Sequence, residues 1–251
     1  MANYHSDEWI MTNLKKHYAF ISQYIDANRI IVLALRGSQN YGLDTINSDI
    51  DSRVIYIPSN EEIEKYPEGR PEWSLEFLNE CIVCHDIRQF ISAIMHCDIY
   101  CLEILLSKYV IIPNAQYHAY WQYLTTQADK LANARPDLCI CSIKEYLSYE
   151  IPYICKDTLT HRRPHLHKGY DYKLLYRCLR LYGIAKLIAK KQPFSTCMDE
   201  QWNHGAQEAK NEEYDFFGAY WLVEFITTDI KRLEKIINNL PITDVTIETI
   251  F

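Results

Sequence analysis

The chain changes its apolar pattern at Pro113, and this change constrains the fold more than any other feature. Before it, residues 30–35 and 50–57 are short β-branched or alternating runs with the length of strands. After it, apolar residues recur three or four positions apart, as in amphipathic helices. The predicted helices cover residues 115–132, 140–155, 171–190 and 215–239. We therefore predict an α+β protein, with an α/β domain over residues 1–112 and a helical domain over residues 113–251.

The remaining elements follow from the same periodicity. We predict an amphipathic helix over residues 7–28, a loop or short irregular helix over 59–73, a third strand over 75–84 and a helix pair over 87–106. The last helix is expected to pack through one apolar stripe. The predicted stripe consists of Trp221, Phe225, Ile230, Leu233 and Ile237.

The charge of the chain limits its partners. Its formal net charge is −7, so bulk electrostatics cannot hold a nucleic acid, and a polyanion must meet a local basic patch or a bridging divalent metal. The sequence contains no apolar run long enough to cross a membrane, and its first residues lack the layout of a signal peptide. We expect a cytoplasmic protein that does not interact with membranes.

The nine cysteines are predicted to be core residues in a reducing compartment. Cys81 and Cys84 form one CxxC, followed by His85, but no second CxxC stands at the distance of a zinc ribbon. A haem attachment would also require export. Thiols scattered through apolar stretches pack as small hydrophobic groups.

Two aspartates carry the strongest chemical signal. Asp49 and Asp51 are two positions apart at the start of a predicted strand, so their side chains share a face. Paired carboxylates repel unless a cation lies between them, and oxygen ligands suit Mg²⁺ or Mn²⁺. Upstream, Gly37 and Ser38 directly follow a buried strand, where the backbone amides and the hydroxyl can contact a phosphate. This arrangement suits phosphoryl or nucleotidyl transfer.

The two segments resemble a known signature. Residues 37–43 (GSQNYGL) and 48–57 (SDIDSRVIYI) are similar to the Gly-Ser and Asp-x-Asp motifs of the DNA polymerase β nucleotidyltransferase superfamily. More narrowly, the chain resembles the RNA-repair-associated polymerase-β-like nucleotidyltransferases. Further similarity lies in residues 85–107, 168–188 and 238–241. The resemblance implies a small mixed-sheet head, a helical C-terminal domain, an NTP substrate such as ATP, and Mg²⁺.

The resemblance also implies a third carboxylate that binds metal and helps to deprotonate the acceptor. Glu80, on the third predicted strand, is the first candidate, and the catalytic and metal-binding set is then Asp49, Asp51 and Glu80. Asp86 is the second candidate, although a carboxylate at a helix start also has a structural explanation.

A second group of candidate residues lies on the helix over residues 171–190. Lys173, Arg177 and Arg180 are spaced so that they project from one face, where they contact either a triphosphate or acidic side chains. The resemblance favours the triphosphate, and the family carries His where this chain has Arg177. Residues 161–168 (HRRPHLHK) form a basic segment that we expect to hold an RNA 3′ end near the active site.

We therefore predict a metal-dependent nucleotidyltransferase that transfers an NMP from an NTP to an acceptor hydroxyl and releases pyrophosphate. An RNA 3′ end is the expected acceptor, and a protein hydroxyl is the alternative. A catalytically inactive module that binds nucleotide or RNA is the competing hypothesis.

Overall fold

The computed structural model describes residues 4–155, 166–167, 169–211 and 213–247. These form two compact units, one containing the described residues up to Leu131 and from Val245, the other residues 132–244. A sheet in the first unit and helices in the second confirm the α+β fold class. The division lies after Leu131 rather than after residue 112, because the chain beyond residue 112 still packs on the first unit: Tyr117 donates to the Asn28 carbonyl at 2.7 Å.

The first unit is built on a five-stranded mixed sheet. Its strands are β1 (Ile30–Arg36), β2 (Asp51–Tyr56), β3 (Trp73–Phe77), β4 (Glu80–Asp86) and β5 (Val110–Ile111), in the order β3-β4-β2-β1-β5. β2 and β4 are parallel, and the other neighbouring pairs are antiparallel. The β1 and β2 predictions and the mixed sheet are confirmed.

Six helices surround this sheet or follow it. They are α1 (Asp7–Ile21), α2 (Asn60–Lys65), α3 (Ile87–Met95), α4 (Ile99–Leu105), α5 (His118–Thr125) and α6 (Gln127–Ala134), the last of which spans the division between the units. The predicted helix pair is confirmed as α3 and α4. α1 is shorter than predicted and begins where the Ser6 side chain caps the Trp9 amide.

Alternation along the strands gives the sheet two chemically different faces. One face, called here the α1 face, is apolar: Leu35, Val54 and Ile82 pack with Ile10 and Leu14 of α1. The other, called the opposite face, carries the residues between them. These include Arg36, Asp51, Arg53, Cys81 and Glu76. The charged side chains that neighbour Asp51 along the strands therefore lie on the opposite face, while the α1 face is mainly apolar.

The predicted third strand over residues 75–84 is two strands. β3 and β4 form a hairpin in which Leu78 and Asn79 both have positive φ, 53° and 69°. Two such residues are the mark of a two-residue hairpin turn. The prediction of a single strand was wrong. It missed the turn because neither Leu78 nor Asn79 is glycine, the usual residue in such turns. As a result, Glu80 opens β4 instead of lying in mid-strand.

The second unit is mainly helical. Its elements are α7 (Pro136–Glu150), the short strands β6 (Leu166–His167) and β7 (Tyr170–Asp171), α8 (Tyr172–Ala189), α9 (Glu200–Lys210) and α10 (Phe216–Ile237). α8 packs against α7, α9 and α10. α9 was not predicted, because its sequence is mostly polar. None of the helices in the described part of the chain is long and apolar enough to span a bilayer.

The apolar stripe of α10 differs from the prediction. Ile230, Leu233 and Ile237 are buried as expected, but Trp221 and Phe225 are 68% and 54% exposed. The buried stripe continues through other positions spaced three or four residues apart, namely Ala219, Val223 and Ile226. Trp221 and Phe225 fall outside that spacing.

Candidate functional site

The turn that ends β1 has a backbone that only glycine adopts easily. Gly37 has φ 114°, and a short 3-10 helix, Ser38–Tyr41, follows it. Gly42 then ends this helix in the left-handed conformation, with φ 66°. The predicted sharp turn at Gly37 and Ser38 is therefore present. The first amides of a helix have no acceptor within it, which leaves donors at this turn for a ligand.

Gln39 links the turn to the aspartate segment, and the sequence reasoning did not identify it. Its Nε2 donates to the main-chain carbonyl of Asp49 at 2.7 Å, and the side chain is almost fully buried. Its Oε1 is buried without a hydrogen-bond partner among the residues described. The contact fixes the distance between the Gly-Ser turn and Asp49. The feature of the sequence that could have identified Gln39 is its amide side chain within the segment GSQNYG.

Two further side chains anchor the turn to the body of the unit. Asn40 donates to the Leu35 carbonyl at 2.8 Å and accepts from the Ser107 hydroxyl at 2.9 Å. Tyr41 donates to Glu103 of α4 at 2.9 Å. All of these groups are buried or nearly so, and buried hydrogen bonds hold a unique geometry. The turn is thus rigid before any ligand binds.

Asp49 and Asp51 lie on the opposite face of the sheet. Ile50 between them is fully buried in the α1-face core, so the alternating chain turns both aspartates the other way. The Asp49 side chain is exposed and forms no hydrogen bond or ion pair with the described residues. Asp51 accepts from the Cys81 amide at 3.0 Å and lies directly across from Arg36. The predicted side-by-side placement is consistent with this geometry.

The structure does not bring Glu80 to the face that carries Asp51. Glu80 pairs with Phe77 on the α1 face, where Oε2 hydrogen-bonds to His17 Nε2 at 2.8 Å. Oε1 accepts from the Ile50 amide at 3.0 Å. With both oxygens occupied, Glu80 fixes the backbone between the two aspartates. Its predicted metal-binding role stays a prediction that this geometry does not favour.

Cys81 occupies the position on β4 that adjoins Asp51. Burial, and next the Asp51 carboxylate, raises the pKa of its thiol, so the protonated form persists at neutral pH. Cys84, three residues further on, faces the apolar core. The two cysteines of the CxxC therefore point to opposite faces of β4. All nine cysteines are free thiols.

Asp86 lies at the other end of β4. It pairs with Tyr56, at the carboxyl end of β2, about 16 Å along the strand from Asp51. Its side chain caps α3 by accepting from the Arg88 amide at 2.9 Å and also accepts from the Arg70 amide at 3.0 Å. The helix-start interpretation of Asp86 is therefore correct, and Asp86 cannot complete a site with Asp51.

A fixed cation follows Asp51 along the opposite face. Arg53 is buried, donates to Cys101 Sγ at 2.9 Å and pairs with Glu72 at 3.0 Å. Burial, and then the neighbouring Arg53, lowers the pKa of His85 to about 4, so this imidazole is neutral at pH 7. The sequence reasoning missed both residues, although Arg53 continues the alternation of Asp49 and Asp51.

The donor set at the aspartates fits a magnesium or manganese ion. Two exposed or half-exposed carboxylates are hard oxygen ligands, and Mg²⁺ is commonly held by one or two carboxylates together with substrate phosphates and water. Within the described ranges, no three His, Cys, Asp or Glu side chains are grouped to hold an ion. The protein would therefore supply only part of the coordination shell.

The basic residues of α8 do not share one exposed face. Arg177 forms an ion pair with the buried Glu150 of α7. Arg180 is 4% exposed and lies among buried residues of α8, and Lys173 is half-buried near the start of the helix. The role of Lys173, Arg177 and Arg180 in binding a triphosphate stays a prediction. For Arg177, acidic side chains are the observed partner.

The basic segment over residues 161–168 falls almost wholly outside the described residues. Only the main chain of Leu166–His167 is included, as strand β6 paired with β7. Its role in holding an RNA 3′ end stays a prediction.

Comparison with protein families identifies a match to this chain. The model of the RNA repair pathway DNA polymerase beta family matches residues 10–135. The match covers the sheet, the Gly-Ser turn, both aspartates and all of α6. A search of curated proteins found no match.

Proposed function

The chain belongs to the RNA repair pathway DNA polymerase beta family, and from this premise we propose that it is a metal-dependent nucleotidyltransferase. Membership implies activity of the nucleotidyltransferase type. The observation that supports the proposal is the placement of Asp49 and Asp51 on one face, tied by Gln39 to a rigid glycine turn. The reaction moves an NMP from an NTP to an acceptor hydroxyl.

Each part of this site has a distinct proposed task. Asp49 and Asp51 hold Mg²⁺ or Mn²⁺, which when bound supplies positive charge to the triphosphate and the reacting phosphoryl group. Gly37 and Ser38 donate hydrogen bonds to phosphate oxygens. Arg36, across from Asp51, adds a cation on the same face. Lys173 and Arg180 are further proposed phosphate contacts; for Arg177 the ion pair with Glu150 competes with that role.

The proposed reaction is an in-line displacement. The acceptor hydroxyl gives its proton to water and its oxygen bonds to the α-phosphorus, while the bond from that phosphorus to the leaving pyrophosphate breaks. The expected acceleration comes from holding the two reactants in line and from stabilising the charge that develops on the phosphate. Glu80 is proposed to contribute by positioning, since it fixes the Ile50 amide between the aspartates.

An RNA 3′ end is the proposed acceptor. The RNA repair description of the matching family and the basic sequence of residues 161–168 support it. A protein hydroxyl is the alternative, and an inactive binding module is the competing function.

The test follows the label from an α-³²P-labelled NTP, with Mg²⁺, into an RNA carrying a free 3′ hydroxyl or into proteins of a lysate. We expect RNA to be labelled, RNA with a blocked 3′ end to stay unlabelled, and Asp49→Asn with Asp51→Asn to abolish transfer. Label in protein alone would replace the acceptor. NTP binding without pyrophosphate release with any acceptor would instead establish a binding module.

A further inference from the structure

A cavity of about 430 Å³ opens in the first unit at the carboxyl end of β2. Tyr56 ends that strand, about 16 Å along it from Asp51, so the cavity is separate from the aspartate site. Its size is that of a small-molecule site. The lining residues are Tyr24, Ile25, Arg29, Ser59, Glu61, Glu62, Lys65, Tyr66, Arg70 and Trp73.

Two arginines of the cavity are held in place by one carboxylate. Arg29 and Arg70 both pair with Glu62, and Arg29 also donates through Nε to the Ile57 carbonyl at 2.7 Å. Glu62 is fixed in turn by the capping box it forms with Ser59. A guanidinium has five N–H donors, so these contacts leave further donors on each arginine. The arrangement presents two oriented cations, which suits a phosphate.

Aromatic rings form the rest of the wall. The Trp73 indole is fixed by a hydrogen bond to Tyr56 at 3.2 Å, and the Arg70 guanidinium lies 4.4 Å from the Trp73 ring centre. Tyr24 is 57% exposed, and the ammonium of Lys65 lies 5.4 Å from the ring centre of Tyr66. Flat aromatic surfaces beside cations are the features with which proteins bind bases and their phosphates.

The charge of the cavity also favours an anion. Arg29, Lys65 and Arg70 are opposed by Glu61 and Glu62, and Glu62 is already used in orienting the arginines. Glu61 is exposed, and its negative charge repels an anionic ligand. We propose that this cavity binds a nucleotide, with its phosphate on Arg29, Lys65 and Arg70 and its base against Tyr24, Tyr66 or Trp73.

Two kinds of ligand present a base and a phosphate in this way: a free nucleoside monophosphate and a nucleotide within an RNA chain. Both are tested in the Asp49→Asn/Asp51→Asn protein with EDTA, so the outcome is independent of metal binding and transfer at the aspartates. The probes are AMP, followed by equilibrium dialysis, and a 5′-phosphorylated RNA tetranucleotide labelled at its 3′ end, followed by fluorescence anisotropy. Saturation by AMP identifies the free nucleotide, and saturation by the tetranucleotide alone identifies RNA.

The variants compare two similarly placed lysines. Lys65→Gln removes a cavity cation and is expected to weaken binding about tenfold. Lys108→Gln removes an exposed lysine that also lies over a tyrosine ring, 4.8 Å from the centre of Tyr109, outside the cavity, and is expected to leave binding unchanged. Glu61→Gln should tighten binding about threefold.

Three results would overturn the proposal. The first is that neither probe binds. The second is that Lys65→Gln and Lys108→Gln weaken binding equally, as expected for nonspecific charge. The third is that inorganic phosphate displaces either probe as effectively as AMP does, which would leave no role for the base.

Discussion

The two ends of strand β2 carry opposite kinds of polar cluster. At its amino end, Asp49 and Asp51 place like charges on one face, and Asp49 extends into solvent. At its carboxyl end, Glu62 binds two arginines and caps its own helix. The first cluster brings like charges together, whereas the second joins opposite charges.

This difference indicates what each cluster contributes. Like charges held together cost stability in the absence of a cation, so they persist where a ligand supplies that cation. A hydrogen-bonded network of opposite charges fixes structure, and removing one member leaves its partly exposed partners without their counter-charge. Charge removal at the amino end should therefore affect activity, and charge removal at Glu62 should affect stability.

The largest expected effect is on transfer by Asp51→Asn. We expect the rate to fall about 10³-fold, or about 4 kcal/mol in activation free energy, because a metal ligand is lost. The unfolding free energy should stay constant or rise slightly, since repulsion with Asp49 is relieved and the amide oxygen still accepts from Cys81. Initial rates and urea unfolding measure the two quantities.

Glu80→Gln is the matched control for that variant. A glutamine keeps the acceptor for the Ile50 amide, so a positioning residue should lose less than about tenfold in rate. If Glu80→Gln lowers the rate as much as Asp51→Asn does and also raises the Mg²⁺ concentration required, Glu80 is the third metal ligand. Glu80 and the two aspartates would then have the same role.

The next effect is on stability at the other end of β2. Glu62→Gln is expected to lower the unfolding free energy by about 2 kcal/mol, because Arg29 and Arg70, which are partly exposed, lose their common counter-charge. Glu64→Gln, an exposed position on the same helix, should change it by less than about 0.5 kcal/mol. Equal unfolding curves for the two variants would show that the Glu62 network does not stabilise the fold.

The sequence predicted the parts of the fold that depend on local pattern. Strands β1 and β2 follow from β-branched and alternating runs, and Gly37 marks the turn between β1 and the aspartates. The Leu78–Asn79 turn was missed because a two-residue turn with positive φ usually contains glycine, and this one has none. That one turn decides which face Glu80 occupies.

Pairings between distant residues could not be predicted from periodicity. Glu150 is 27 positions from Arg177, and nothing in the local sequence of either residue names its partner. The contact from Gln39 to the Asp49 carbonyl is similar, since it depends on how the chain returns after Gly42. The spacing of residues predicts which face of a helix or strand they share. Which other element packs against that face is known only from the fold.

Gly37→Ala tests the positive φ at the start of the turn that follows β1. A Cβ would meet Gln39 Oε1 at 3.7 Å, an ordinary contact, so the cost comes from φ 114° and is expected to be about 2 kcal/mol of unfolding free energy. Gly205→Ala lies in helix α9 with open space around it and should stabilise by about 0.5–1 kcal/mol. Thermal unfolding of both variants measures the difference, and equal shifts would contradict the strain at Gly37.

The smallest expected effect is a dependence on acid at the Glu62 end. Burial alone would raise the pKa of Glu62, but hydrogen bonds from the Ser59 amide, Arg29 and Arg70 lower it to about 2, against 4.5 for the free group. The unfolded chain therefore takes up this proton first, so the stabilisation is complete above pH 4.5 and is lost as the pH falls towards 2. The stability difference between the native chain and Glu62→Gln should shrink by about 1 kcal/mol between pH 5 and pH 3. Urea unfolding at a series of pH values measures it. If the stability difference does not change with pH, Glu62 contributes through the geometry of its hydrogen bonds and not through its charge. The two ends of β2 would then not differ in how their charges affect stability.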